Sequence, residues 1–246
     1  MLIQTALAPD ALLPLAAETV LAEGYRIIDC RRRGYGLSTP ITGPGSIIRD
    51  AADCLAVLEH VGIDSAHVLG VSYSGAVALE VAAIAPEAVA SLTLIEPPPR
   101  QGPPAAEFVA SNQQLIDIFE CAGVTAALES FTQVSGAPSW RVERATADPE
   151  SVARIEQNAT TFFTADVPAL LSWQFDANCA AALTSPVLYI GGEDSHPWFT
   201  HVHRWVKELF PQCEDHLIPG AGHSVVTSHS ADVARLLTDF LARHAT

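Results

Sequence analysis

Apolar residues along the chain fall into two alternating patterns. Short β-branched runs are punctuated by Gly, Pro or polar residues. Between them lie longer stretches in which apolar positions recur at helical spacing. Leu2-Ile3 predicts a strand fragment, residues 10–22 a helix, and Tyr25–Cys30 a buried strand. Ser46 is placed to cap a helix whose Ile47, Ile48, Ala51, Leu55 and Leu58 share one face. His67–Val71 predicts a strand and Ala76–Ala85 the helix after it. Further strands are expected at Ser91–Ile95, Pro186–Ile190 and His216–Ile218, with helices near Trp198–Phe210 and Ser230–Arg243. Strands separated by helices imply α/β architecture: a mostly parallel sheet with helices on both faces. The alternation breaks after Pro97-Pro98-Pro99 and Pro103-Pro104, and helical patterns follow at 105–121, 123–134, 148–163 and 166–174. The expected organisation is a core of residues 1–100 and 184–246 carrying a helical cap, or lid, at 101–183.

Composition narrows the classes. Apolar residues make up 49% and charged residues 17% of the 246, enough to bury a sizeable core and too little charge for a disordered chain. The net charge of −15 argues against nucleic acid or an anionic membrane surface as partner, because both require a basic footprint. No run reaches the roughly 18–20 apolar residues of a membrane span. The first basic residue is Arg26, and Pro9, Asp10 and Pro14 interrupt the apolar start, so a signal peptide is not expected and a cytoplasmic location is. The five cysteines, at 30, 54, 121, 179 and 213, are odd in number and widely spaced, which favours free thiols over a disulfide framework or zinc site. His201 and His203 fall on different faces of one helix and, with His196, complete no ligand set, so no metal is expected. The absence of GxGxxG and Walker-type loops implies no nucleotide cofactor. Arg31-Arg32-Arg33 reads as a run held in structural ion pairs rather than a phosphate site.

The chemistry concentrates at predicted strand ends. In Leu69-Gly70-Val71-Ser72-Tyr73-Ser74-Gly75, a serine sits between a strand and a helix with small residues two before and two after it. That composition suits a sharp turn that lifts the hydroxyl clear of the sheet and aims the helix's first amides at the same point. Ser74 stands where glycine is usual. Downstream, Gly191-Gly192-Glu193-Asp194 follows a strand, and Pro219-Gly220-Ala221-Gly222-His223 follows the next. Carboxylates and histidines at the carboxyl ends of parallel strands lie where open α/β sheets hold their sites. His223 is the candidate general base and Asp194 the group that orients it. Glu96, at the end of Ser91–Ile95, is the alternative acid.

These motifs, with Arg33-Gly34-Tyr35-Gly36-Leu37-Ser38 (RGxGxS) and Ser91–Pro98 (SLTLIEPP), resemble those of the α/β-hydrolase fold family, in its cofactor-free serine branch with a helical cap. The order serine, acid, histidine matches as well. Arg31 departs from the Asp often found at that point of the family's loop. The resemblance implies that Ser72, Asp194 and His223 form a catalytic triad, with the backbone N–H groups of Tyr73 and Ala6 as the oxyanion hole. Gln4-Thr5-Ala6-Leu7 replaces the family's His-Gly loop, so Gln4 or Thr5 could present a polar group to substrate. Phe162, Phe163, Trp173 and Trp198 are the candidate pocket residues, and Trp140 and Phe175 join them in an aromatic cluster. The family usually has two more strands before the first one seen here. Their absence would leave Tyr25–Cys30 as an apolar edge, to be covered by a partner such as a second copy in a homodimer, or by chain upstream of this start. The expected activity is hydrolysis of a small, largely apolar ester, thioester or related carbonyl compound through an acyl-enzyme. The alternatives are a C–C bond hydrolase, cyclase or lyase on the same triad, and a ligand-binding protein with a vestigial site.

Overall fold

The structure, a computed structural model, describes residues 1–134, 141 and 149–244; Trp140 lies outside them. Six strands form one parallel sheet: β1 (Leu2–Ile3), β2 (Asp29–Cys30), β3 (Ala66–Val71), β4 (Val89–Ile95), β5 (Val187–Gly192) and β6 (Glu214–Ile218), in the spatial order β2-β1-β3-β4-β5-β6. Alternate residues of the central strands feed two apolar layers. Val68, Leu92, Leu94, Val187 and Tyr189 face one side, where α3 (Ile47–His60), α4 (Tyr73–Ile84) and α9 (Trp198–Leu209) pack. Leu69, Val71, Ile95, Leu188 and Ile190 face the other, under the first helices and α11 (Ser230–Arg243). Both faces are covered, which is why these strands read as unbroken apolar runs rather than as alternation.

Most predicted elements are present, and the departures have local causes. The expected helix at 10–22 is two short ones, α1 (Leu13–Ala16) and α2 (Thr19–Ala22). Glu18 breaks between them in extended conformation (ψ 126°), and its side chain accepts a 2.7 Å hydrogen bond from Ser230, the first residue of α11. Tyr25–Cys30 is not a six-residue strand. β1 offers only two residues for pairing, so β2 contains only Asp29 and Cys30. Tyr25 and Ile27 turn into one apolar layer and Ile28 into the other. The sheet edge is therefore short and carries the exposed Asp29 rather than an apolar strip. Among the described residues no helix is long and apolar enough to cross a membrane.

Between β4 and its sheet neighbour β5 the chain makes α5 (Ala105–Val134), α6 (Ser151–Thr161), a π-helical turn (Phe162–Asp166), α7 (Val167–Ser172) and the short α8 (Ala177–Ala180). α5 bends at Gly123 (φ 83°), where the sequence pattern separated two helices. The π turn has a sequence cause in Pro168. Proline has no N–H and its ring crowds the carbonyl four residues back, so a regular α-turn is disfavoured there.

The carboxyl ends of β3 and β5 approach other backbone closely. A Cβ on Gly70 would run into the carbonyl group of Ser74 and come within 2.8 Å of the Gly75 nitrogen. The obstacle is backbone, so a side chain cannot be swung away. Gly70→Ala is expected to destabilise the protein by about 3 kcal/mol or more, measured by urea denaturation. A loss below about 0.5 kcal/mol, the range of ordinary surface changes, would show that the turn relaxes freely.

Candidate active site

The end of β3 and the inserted helices enclose a cavity of about 440 Å³. Ser72 lies on its wall at the turn into α4, with φ 51° and ψ −121°. Few non-glycine residues adopt this backbone. It is held by the Ser72 N–H donating to Ile95 O at 2.9 Å and the Gly75 N–H donating to Ser72 O at 2.8 Å. Ser74, in the place of the usual glycine, is fully buried. Its hydroxyl accepts from the Val71 N–H at 2.9 Å and donates to Val71 O at 3.0 Å. The serine is thus tolerated because its oxygen turns back onto the strand, while the tight contact of the elbow falls on Gly70.

His223 lines the same cavity. Its Nδ1 is 2.6 Å from Glu96 Oε2, and its ring stacks on Phe199 with centroids 4.3 Å apart. Glu96 is 1% exposed, sits at φ 44°, and accepts a second hydrogen bond from the Gly192 N–H at 2.9 Å. Asp194, the expected partner of the imidazole, is not beside it: Asp194 is exposed, and its carboxylate makes no hydrogen bond or ion pair with a described residue. It engages the histidine loop only through its backbone N–H, which donates to Ala221 O at 2.9 Å. The cause is the paired glycines. A Cβ on Gly191 would come within 3.2 Å of Glu96 Oε1, and one on Gly192 would strike Ala221. Their bare backbone admits Glu96 from the neighbouring strand and brings the histidine loop down onto it.

Ala6 and Tyr73 both line the cavity. Neither backbone N–H has a hydrogen-bond partner among the described residues, and Tyr73, as the first residue of α4, has none to find within the helix. Gln4 departs from expectation. It is 1% exposed, does not line the cavity, and accepts from the Arg32 N–H through Oε1 at 3.1 Å. Thr5 does line it, but its hydroxyl donates to Val71 O at 2.9 Å. Of the four aromatic candidates, Phe162 and Trp198 face the cavity. Phe163 instead stacks on Phe119 at 5.2 Å within the insertion, and Trp173 donates from Nε1 to Glu80 at 2.7 Å. Phe108, Leu115, Phe131 and Leu170 complete the apolar wall, a role that helical spacing alone does not separate from ordinary core.

The three arginines all form ion pairs. Arg31 reaches Asp10 at 2.8 Å and Arg33 reaches Asp53 at 2.8 Å, both partly exposed. Arg32 is different, for it is fully buried beneath the cavity. Its guanidinium forks onto Asp166 at 3.0 and 2.7 Å, donates to Asp50 at 2.9 Å, and sends Nε to Gln4 O at 2.9 Å. Tyr35 donates to Asp166, and Tyr73 donates to Asp50 at 3.0 Å. Burial pushes both phenols well above their usual range, so they remain donors. Burial also raises the Asp50 carboxyl, against the pull of Arg32. For Arg32, burial opposes the charge but Asp166 outweighs it and holds the guanidinium ionised. Leaving one partner of such a buried pair alone typically costs about 3–5 kcal/mol.

Among the described residues no three His, Cys, Asp or Glu side chains group as a metal site. All five cysteines are free thiols, and Cys30 and Cys54 lie 3.7 Å apart in the core.

Comparison with known proteins agrees with this fold. The chain is 28% identical over 232 residues to a protein of Variovorax paradoxus named a putative carbamate hydrolase, covering 91% of this chain and 84% of that one. It is 26% identical over 238 residues to a 2-hydroxy-6-oxononadienedioate/2-hydroxy-6-oxononatrienedioate hydrolase of a Pseudomonas species, covering 89% and 78%. In fold it resembles a thermophilic esterase from Thermogutta terrifontis, with TM-score 0.77, 20% identity and coverage of 100% of this chain and 89% of that one. A profile of the alpha/beta hydrolase fold matches residues 8–230, and the chain belongs to that family.

Proposed function

We propose that the protein is a serine hydrolase for small, neutral, largely apolar esters or related carbonyl compounds, with Glu96 rather than Asp194 as the acid of its triad. The observation that carries this reading is the 2.6 Å contact of His223 Nδ1 with the buried Glu96, in a cavity that Ser72 also lines. With Nδ1–H donated to Glu96, Nε2 is left as the base. Ser72 Oγ gives its proton to Nε2 as it attacks the carbonyl carbon. The imidazolium, stabilised by Glu96, returns that proton to the leaving group. Negative charge on the carbonyl oxygen meets the N–H groups of Ala6 and Tyr73, which have no other partner. Water, deprotonated by His223, then releases the acid and frees Ser72. In the apo protein Ser72 Oγ bonds to no described residue, and such contacts commonly tighten only with substrate bound.

The wall of the cavity limits the substrate. It is mainly apolar, and no lysine or arginine lines it among the described residues. Its one carboxylate, Asp166, is already neutralised by Arg32. A substrate carboxylate would be desolvated there without a cationic partner, which is unfavourable by several kcal/mol. That weighs against dioic acids of the kind for which the Pseudomonas relative is named, and favours neutral acyl groups.

A fluorophosphonate probe tests the nucleophile: one equivalent of label is expected on the parent and none on Ser72→Ala. An unlabelled parent that nonetheless binds small apolar ligands tightly would indicate a binding protein instead. The acid is tested by exchange. Glu96→Gln is expected to lower kcat by about 10³-fold or more, because the imidazole loses its orienting anion. Asp194→Asn should stay within about threefold of the parent, as expected for a group outside the reacting set. The reverse ranking would restore Asp194 to the role. In a substrate series, p-nitrophenyl butyrate should exceed p-nitrophenyl hemisuccinate in kcat/KM by about 10-fold or more, one uncompensated charge being worth at least ~1.4 kcal/mol. Equal rates, or measurable cleavage of a vinylogous diketo acid, would sink the neutral-substrate reading.

A further inference from the structure

We propose that Arg32 and Tyr35 are positioning residues for the oxyanion hole, and that the inserted helices set its geometry through Asp166. The kinetic part of this proposal rests on the reading of Ser72 as nucleophile; the structural part does not. Leu7 holds φ 64°, a region that residues with a Cβ seldom enter unless their surroundings impose it. Several hydrogen bonds hold this stretch, among them Thr5 Oγ1 to Val71 O at 2.9 Å and the Ala8 N–H to Ala6 O at 2.7 Å, and two more flank Ala6. Gln4 O accepts from Arg32 Nε at 2.9 Å, and the Leu7 N–H donates to Tyr35 Oη at 3.1 Å. The Ala6 N–H lies between these two anchors, so its direction follows theirs.

Both anchoring side chains end on the same group. Arg32 gives two hydrogen bonds to Asp166 and Tyr35 gives one. Asp166 belongs to the π turn of the insertion, far from either residue in sequence. The second oxyanion donor is tied to the same guanidinium. Arg32 lies over the Tyr73 ring, 4.1 Å from its centroid, and Asp50 bonds both Arg32 and the Tyr73 hydroxyl. The seam around this cluster is closely fitted. A Cβ on Gly34 would come within 2.9 Å of Thr161, and one on Gly45 would strike the backbone of Ala165. Movement of the π turn relative to the sheet must therefore move Arg32 and Tyr35, and with them the loop that carries Ala6.

The plain alternative is that the cluster only fastens the insertion to the core. Tyr35→Phe separates the two, because it leaves both Arg32–Asp166 bonds in place and removes the acceptor for the Leu7 N–H together with the phenol's own bond to Asp166. The expected result is a fall in kcat per titrated active site of roughly 10- to 100-fold, short of the 10²–10³ for losing a donor outright. KM should stay within about twofold, since a donor that matters only in the transition state leaves ground-state binding alone. Affinity for an alkyl boronic acid, which mimics the tetrahedral adduct, should fall by the same factor as kcat. Asp166→Asn should shift the same quantities in the same direction, and it serves as the second variant if Tyr35→Phe does not fold. Amide hydrogen exchange supplies a readout independent of chemistry: Tyr35→Phe should speed exchange at Leu7 at least about tenfold, while β3 and β4 remain protected. An unchanged kcat, a change confined to KM, or unaltered Leu7 exchange overturns the proposal. A parent that fluorophosphonate fails to label sinks the hydrolase reading alone, and the exchange measurement then decides the positioning role by itself.

Discussion

A guanidinium shut away from water must be surrounded by acceptors, and meeting that demand at Arg32 organises this molecule. The side chain is 1% exposed, and so is its main partner Asp166. To be ionised there it needs groups from the loop after β1, from α3 and from the insertion in one place, with the phenols of Tyr35 and Tyr73 filling the remaining lone pairs. An ion pair of this kind contributes little net stability compared with apolar packing of the same volume, but removing one member leaves a charge with nowhere to go. Its consequence is specificity of arrangement. A shift of the insertion on the sheet would expose or orphan a charge, and as it sits Phe162 and Leu170 line the same cavity as Ser72.

The same argument extends to the backbone. Three non-glycine residues among those described have positive φ: Leu7, Ser72 and Glu96. They fall beside Ala6, at the turn from β3 into α4, and at the partner of His223. Each conformation costs of order 1–3 kcal/mol and persists only where its surroundings over-determine it. Ser72 is braced by Ile95 and Gly75, Glu96 by Gly192 and His223, and Leu7 by Tyr35. Strain gathered at one end of one cavity, and satisfied by unrelated parts of the chain, marks that end as the place where geometry is demanding.

Much of the fold was legible because its determinants are local. The β-branched runs at 67–71, 91–95 and 187–190 are buried on both faces, and the Ser46 cap and the run at 230–243 carry ordinary helix signals. The sharp turn at Ser72 and the loop that carries His223 were legible for the same reason, since each has small residues beside it. What misled were features that depend on partners. Tyr25–Ile28 has strand composition, but the two residues of β1 reach no further along it than Ile28, whose carbonyl accepts from the Leu2 N–H. Phe163 and Trp173 have pocket composition, yet their rings are taken up by Phe119 and Glu80. Gln4 looked available to substrate because nothing in the sequence reveals that Arg32 claims it. Arg32 itself was indistinguishable from Arg31 and Arg33, and only the distant Asp166 separates a buried cluster from two surface pairs.

The two candidate acids show how such a misreading arises. Asp194 follows its strand at the position where sequence order leads one to look, and its short side chain must reach the imidazole from a loop that faces solvent. Glu96 starts one strand nearer the serine and has an extra methylene of reach. The double glycine at 191–192, read from sequence only as the run that follows a strand, removes the two side chains that would have stood between Glu96 and the histidine loop. A carboxylate delivered from β4 also keeps both oxygens engaged, one by the Gly192 N–H and one by His223, with no access to water. An anion so enclosed holds the imidazole beside it more firmly than an exposed one would, because the interaction is not screened by solvent. Asp194 stands exposed on its loop and turns its carboxylate to solvent instead. The Glu96–His223 pair therefore follows the same constraint as the Arg32 cluster: each buried charge is held by elements distant in sequence.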